Sequence, residues 1–260
     1  MSRTIHATAI IDPRAQLGQG VEVGPYAVIG PHVRIGPRTT IGAHCVLEGY
    51  TTLGADCQLF TGAVIGSIPQ DLKYAGEKSE LIIGDRNRIR EYVTINPGTK
   101  GGGGKTLLGS DCLLMAYAHV AHDCRIGNHV IIANSAALAG HILVEDRAVI
   151  GGLVGIHQFV RVGALSIIGG CSRVVQDIPP YSTCVGYPAK VFGLNKEGLR
   201  RAGVAASAKD HLHKAFRILF HSGLSMSHAV EQVAKDVTRC PELTHLLDFI
   251  RQSTRGVCRA

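Results

Sequence analysis

An Ile, Leu or Val returns at every sixth residue over most of this chain. The frame starts at Ile5 and runs through Ile11, Leu17, Val23, Ile29, Ile35, Ile41, Leu47, Leu53 and Leu59 to Ile65. It resumes at Ile83, Ile89 and Ile95, and again at Leu108, from which it continues unbroken to Val174; all 26 positions in phase are Ile, Leu or Val. A six-residue period with a large aliphatic in one phase predicts a hexapeptide solenoid, a parallel β-helix in which each short strand stacks on its counterpart in the next coil. The architecture is therefore constrained before any chemistry is considered.

The other phases agree. Four residues after each aliphatic the side chain is usually small, as at Ala9, Ala15, Ala27, Cys45, Cys57, Ala63, Cys112, Ala118, Cys124 and Ala136. Glycine often follows the aliphatic, as in Ile29-Gly30, Ile35-Gly36 and Ile41-Gly42, and is expected to supply the turn dihedrals. Three hexads close one triangular coil. Nearly nine coils at ~4.8 Å spacing predict a prism roughly 40 Å long.

With 260 residues the chain is long enough for a large core. The N-terminus, Met1-Ser-Arg-Thr-Ile-His, lacks the apolar stretch of a secretory signal. No apolar run approaches the ~18 residues that span a bilayer. The expectation is a cytoplasmic protein without a transmembrane segment. Cys45, Cys57, Cys112 and Cys124 sit in the small inward phase and read as core filler rather than disulfide partners. No CxxC pair is present, which argues against a structural zinc site. The net charge of +7 comes from scattered basic residues with no nucleic-acid motif, so no nucleic-acid partner is expected. An acidic protein or a phosphorylated substrate accounts for the excess.

The frame breaks twice. Between Ile65 and Ile83 the segment Gln70-Asp71-Leu72-Lys73-Tyr74-Ala75-Gly76-Glu77-Lys78-Ser79-Glu80 is polar and reads as a projecting loop. Between Ile95 and Leu108 seven extra residues predict a second loop, Lys100–Thr106. Its Gly-Gly-Gly-Gly-Lys-Thr run lacks the spacing of a nucleotide phosphate loop, because residue 99 is Thr where glycine is required. Loops thrown out from a rigid solenoid are where binding residues concentrate. After Val174 come Pro179-Pro180 and a short extended tail, Val185–Val191. Amphipathic spacing then predicts helices over Ser207–Phe220, Ser227–Val237 and Pro241–Ile250, with Ser207 as a cap and Gly223 as a stop. We divide the chain into a hexapeptide β-helix, residues 1–192, and a C-terminal helical domain, residues 193–260, whose helices cap one open end of the prism.

Chemistry concentrates in Ala118-His119-Val120-Ala121-His122-Asp123, Ala139-Gly140-His141 and Ile156-His157-Gln158. One coil is 18 residues, so His141 follows Asp123 by one coil and Gln158 follows His122 by two. These polar groups are predicted to line one edge of the prism. Two chemistries fit such a column. Three histidines can hold zinc with one open position. Alternatively, His122 removes a proton from a hydroxyl while Asp123 orients its ring.

With these motifs the chain resembles the UDP-N-acetylglucosamine 3-O-acyltransferases over essentially its whole length. The resemblance rests on Gln70-Asp71-Leu72-Lys73-Tyr74, on Ile83-Gly84-Asp85-Arg86-Asn87-Arg88-Ile89-Arg90-Glu91 and on the histidine motifs above. It extends to Gly169-Gly170-Cys171 and Asn195-Lys196-Glu197-Gly198-Leu199-Arg200-Arg201. It implies a mainly β fold, a left-handed parallel β-helix with a C-terminal α-helical domain, assembled as a homotrimer with sites between subunits. The implied reaction moves a 3-hydroxyacyl group from acyl carrier protein to the glucosamine 3-hydroxyl of UDP-N-acetylglucosamine, the first step of lipid A biosynthesis, with no cofactor and no metal.

By the same resemblance His122 is the general base, Asp123 its orienting partner and the Gly140 amide the oxyanion donor. Gln70, Asp71, Lys73, His119, His141, His157 and Gln158 line the sugar-nucleotide and acyl pocket. Asn195, Glu197 and Arg201 hold the nucleotide end. Gly170 leaves room for a long acyl chain, and the basic excess meets the acidic carrier protein. The chain departs from the family pattern at Asn96-Pro97, at Gly186–Lys190 and at Ala202. A 3-amino sugar nucleotide as acceptor and a zinc enzyme of the carbonic anhydrase type remain the alternatives.

Overall fold

The structure, a computed structural model, describes residues 4–260; Met1 to Arg3, the start of the N-terminal stretch read above, lie outside the described residues. Short strands stack into three parallel sheets that form the faces of a triangular prism. The first face holds the strand Thr4–Ile5 and its successors in later coils, such as Thr40–Ile41 and Ile131–Ile132. The second holds Ile10–Ile11, Thr94–Ile95, His119–Val120, Ala137–Leu138 and Gly155–Ile156. The third holds Gln16–Leu17, Glu80–Ile83, Lys105–Leu108 and Arg161–Val162. Register follows the hexads: Ile29 pairs with Ile11 below and with Leu47 above. From Leu17 to Val174 the in-phase aliphatics are buried, as the period requires.

The small inward phase fills the corners. Cys45, Cys57, Cys112 and Cys124 are buried and free. All four thiols donate to carbonyls of the next coil: Cys45 to Phe60, Cys57 to Gly84, Cys112 to Gly127 and Cys124 to Ala139, at 3.1 to 3.2 Å. Burial pushes the Cys112 thiol up to about 11 and that of Cys124 to about 12.

The glycines that follow the aliphatics do a different job from the one expected. The left-handed turn residue lies two positions later and is seldom glycine: Arg38 has φ 58°, His44 57° and Asp123 61°. Gly36 and Gly42 instead face the backbone of the next coil. A Cβ there would fall 2.5 Å from the Gly54 carbonyl carbon or 2.8 Å from the Leu59 oxygen. Glycine is needed for coil-to-coil approach, not for its dihedrals. Side chains at the left-handed positions stack or pair along the edges, as in Arg38–Asp56 at 2.6 Å, Arg86–Asp111 at 2.8 Å and the stacked rings of Tyr92 and Tyr117.

Both frame breaks leave the prism at the corner between the second and third faces. The coil holding the first is 30 residues from Val64 to Thr94, and that holding the second is 25 from Thr94 to His119, against 18 in the regular coils. The second insertion is shorter at its C-terminal end than expected. Lys105 and Thr106 belong to the strand Lys105–Leu108, whose Thr106 side chain is fully buried.

The expected extended tail is an antiparallel hairpin. Ser182–Gly186 continues the first face and Ala189–Leu194 folds back on it. Four helices follow: α1, Lys196–Arg201; α2, Ala206–His221; α3, Met226–Asp236; α4, Pro241–Arg251. Helix α1 is too short for its period to show in the sequence. Ser207 lies inside α2 rather than capping it. Ala205 holds the cap position because Val204 is packed against the core just before it. Ser225 caps α3, accepting from the His228 N–H, and Gly223, φ 78°, follows the end of α2. The helices are fixed to the last coils by Arg161, which lies 4.2 Å over the Phe249 ring, and by Asp177. The Asp177 carboxylate accepts from Arg161 N–H and from the Ser253 hydroxyl. No helix of the described residues is long and apolar enough to cross a membrane.

Candidate active site

Three successive coils bring their second corners together at His122-Asp123, Gly140-His141 and Gln158-Phe159. The 18-residue step puts His122, Gly140 and Gln158 in one column and Asp123, His141 and Phe159 in another. His141 stacks on Phe159 with ring centroids 4.5 Å apart and meets His122 edge-on at 5.1 Å. Asp123 takes the left-handed turn position and is 5% exposed. Aspartate tolerates that conformation, and its side chain turns back under the coil.

The carboxylate of Asp123 is held from three directions. One oxygen accepts from the Thr99 N–H at 2.9 Å. The other accepts from the Thr99 hydroxyl at 2.6 Å and lies 2.8 Å from His122 Nδ1. The Asp123 N–H donates to the Thr106 hydroxyl at 2.8 Å. With a carboxylate opposite, Nδ1 carries the proton, and Nε2 of His122 is left as an acceptor with no hydrogen bond among the described residues. The His122 ring lies against Gly140, where a Cβ would fall 2.7 Å from Nε2. The Gly140 N–H has no acceptor among the described residues. An open imidazole nitrogen and an open amide donor thus share one corner.

His119 and His157 flank this corner on the second face. They border a groove of about 370 Å³ floored by Ala137, Ala139 and Gly155, where small side chains leave the sheet surface hollow. His119 Nδ1 bonds the Thr94 hydroxyl at 2.7 Å, and burial holds its ring below the ordinary histidine range. Arg255 reaches back from beyond α4 to within 3.3 Å of His157 Nδ1 while donating to the Val175 carbonyl. Neither Arg255 nor Thr99 was marked by the sequence reading; both depend on chain folding back across the prism.

The remaining predicted residues are dispersed within one chain. Gln70, Asp71 and Lys73 lie on the first inserted loop at the same corner as His122 but two coils away, and no hydrogen bond or ion pair among the described residues joins them to it. The Asp71 carboxylate caps the Lys73 N–H. Gly170 lies at a different corner, beside Cys171, one coil above Gly152. Asn195 caps α1, accepting from Gly198 N–H and donating to the Leu165 carbonyl. Glu197 pairs with both Arg200 and Arg201 at 2.7 Å, and those partners hold its carboxyl down at about 2.

His122, Asp123 and His141 present ligand atoms within 4.8 Å of one another, a possible metal geometry. Both Asp123 oxygens already accept from Thr99, and one also faces His122, so the donor set is largely spent within the protein.

A hexapeptide prism with a histidine–aspartate pair at a coil corner defines a transferase of the bacterial hexapeptide class, and that repeat model matches residues 4–37, 14–49 and 105–140. A second model, described as UDP N-acetylglucosamine O-acyltransferase, domain 2, matches residues 177–258. The acyl-[acyl-carrier-protein]–UDP-N-acetylglucosamine O-acyltransferase of Myxococcus xanthus is 51% identical over 98% of this chain and 99% of its own. That of Paracidovorax citrulli is 54% identical over 98% and 99%. Among solved structures, the LpxA of Acinetobacter baumannii superposes with a TM-score of 0.95 at 42% identity over 98% of this chain and 99% of its own. The LpxA of Bacteroides fragilis gives 0.95 at 44% over 98% and 99%. The chain belongs to the UDP-N-acetylglucosamine O-acyltransferase family, and its β-helix is left-handed.

Proposed function

We propose that this protein transfers a 3-hydroxyacyl group from acyl carrier protein to the 3-hydroxyl of UDP-N-acetylglucosamine, opening lipid A biosynthesis in the cytoplasm. The observation that carries the reading is the corner where His122 Nε2 stands open, with Nδ1 tied to buried Asp123 and the unengaged Gly140 N–H beside it. In this mechanism Nε2 takes the proton of the sugar hydroxyl as its oxygen attacks the thioester carbonyl. The negative charge that develops on that carbonyl oxygen is met by Gly140 N–H. Collapse expels the carrier's thiolate, which recovers the proton from His122, while Asp123 keeps the imidazole in one tautomer throughout.

His119, His141, His157 and Gln158 surround that corner and serve as pocket residues. Gln70, Asp71 and Lys73 serve the sugar nucleotide. Asn195, Glu197 and Arg201 serve its nucleotide end, and Gly170 the acyl chain. Their dispersal over different corners of one chain favours a closed homotrimer, in which an edge of one subunit meets a different edge of the next. The β-helix, residues 1–192, would carry the chemistry and the helical domain, residues 193–260, the nucleotide end and the carrier contact.

Incubation with UDP-N-acetylglucosamine and a panel of 3-hydroxyacyl carrier proteins, followed by mass spectrometry, tests this. A product heavier by one hydroxyacyl group, absent with His122→Ala, supports it. If no chain length gives product and a 3-amino sugar nucleotide does, the acceptor is wrong and the bond formed is an amide. Stoichiometric zinc that activity requires would instead select the alternative of a zinc enzyme.

A further inference from the structure

The glycine-rich loop Lys100–Gly104 has no role in the reaction as described, yet it lies directly on the reacting corner. Thr99, 5% exposed, opens it, and Gly102 and Gly104 each donate to the Thr99 carbonyl, closing a tight turn. Gly103 and Gly104 take left-handed conformations, φ 91° and 76°, that other residues rarely adopt. Gly102 faces the Asp123 carboxyl so closely that a Cβ would lie 2.0 Å from Cγ. The loop is therefore shaped around this one carboxylate. Both donors of Thr99 point into it, and Thr106 at the loop's far end accepts the Asp123 N–H.

We propose that Thr99 is a positioning residue for His122, acting through Asp123, and that the glycine-rich loop is the clamp that holds the three in line. The proposal rests on the reading of His122 as the base. Two Thr99 donors fix the orientation of the Asp123 carboxylate, one on each oxygen, and His122 Nδ1–H takes the second lone pair of the oxygen that the Thr99 hydroxyl holds. The imidazole is then locked with Nδ1 protonated and Nε2 open, whereas a carboxylate free to rotate would release the ring to other tautomers and angles. Clamping the orienting group on a loop closed by its own glycines separates this task from substrate contact, so a defect in it should reach turnover and leave affinity alone.

The test compares Thr99→Val, which removes the hydroxyl and keeps the branched shape, with Thr99→Ser, which keeps the hydroxyl. Thr99→Val is expected to lower kcat roughly 10–100-fold, in the range misalignment of a reacting group produces, with KM for both substrates unchanged. Thr99→Ser should recover most of the loss. Nitrogen-15 spectra of the imidazoles should show His122 as the Nδ1–H tautomer in the natural protein and as a mixture in Thr99→Val. Retained kcat and an unaltered tautomer in Thr99→Val, with His122→Ala inactive, would overturn the clamp and leave the base reading standing. Full activity of His122→Ala would remove both. If the variants do not fold, the natural protein still decides: a neutral His122 protonated at Nε2 contradicts the proposal directly.

Discussion

The ring of His122 occupies the space that a side chain at Gly140 would need, with the missing Cβ falling 2.5 Å from Cε1. Glycine at 140 is thus required for the ring's position as well as for access to its own N–H. Gly140→Ala is expected to reduce kcat by about 10²-fold, the scale on which misplacing a reacting group by an ångström acts. KM should change little, and the melting temperature should stay close to that of the natural protein because the corner is partly open. Steady-state kinetics beside a thermal melt measure both.

Asn96, 4% exposed, anchors the first inserted loop through Nδ2, which donates to the Ser67 and Ile68 carbonyls at 2.9 and 3.2 Å. Its Oδ1 is buried without a partner among the described residues. Asn96→Ala removes the donors of two partly buried hydrogen bonds and should destabilise by about 1–3 kcal/mol. Since Gln70, Asp71 and Lys73 ride on this loop, KM for the sugar nucleotide should rise several-fold with kcat less affected. An unchanged KM would show that the loop is held independently of Asn96.

His119 supplies a pH signature. Burial disfavours its charged form, so its folded value lies below the ordinary 6.5 while the unfolded chain titrates near that value. As pH falls below 6.5 the unfolded state binds the proton first, and stability declines until the folded ring also titrates. His119→Asn should flatten the dependence of melting temperature on pH just below 6.5. A slope identical to that of the natural protein would assign it to other groups.

Asp177, 1% exposed, ties the C-terminal segment to the last coil through Arg161 N–H and the Ser253 hydroxyl. Asp177→Ala leaves two donors that had bonded a charged group, a loss of roughly 2–4 kcal/mol. The segment carrying Arg255 should then become sensitive to limited proteolysis, and KM should rise because Arg255 loses its station beside His157. Resistance to protease equal to that of the natural protein would mean the segment is held elsewhere.

Much of the prism was legible because burial of Ile, Leu and Val at a fixed period admits few alternatives, and the 18-residue coil placed His141 above Asp123 and Gln158 two coils above His122. What was hidden depends on geometry that no local pattern records. Gly36 and Gly42 look like turn formers, yet their purpose lies one coil away in the backbone they face. Helix α1 has six residues and shows itself only through its Asn195 cap. Thr99 sits in an insertion with no period, where the sole hint was a threonine beside glycines crowded without an evident turn requirement. Arg255 reaches His157 from a segment 98 residues downstream, a meeting decided by the Asp177 anchor rather than by spacing.

Both insertions leave and re-enter at one corner, adding unequal numbers of residues, while the strands before and after them keep their pairing. The fold therefore confines its freedom to vary in length to a single seam. Along the other two edges each strand follows its predecessor at the six-residue step; along this seam the loops add residues while the core beneath them stays the same. The seam runs past His122, so the edge that takes up changes in length and the edge that carries the candidate site are one and the same.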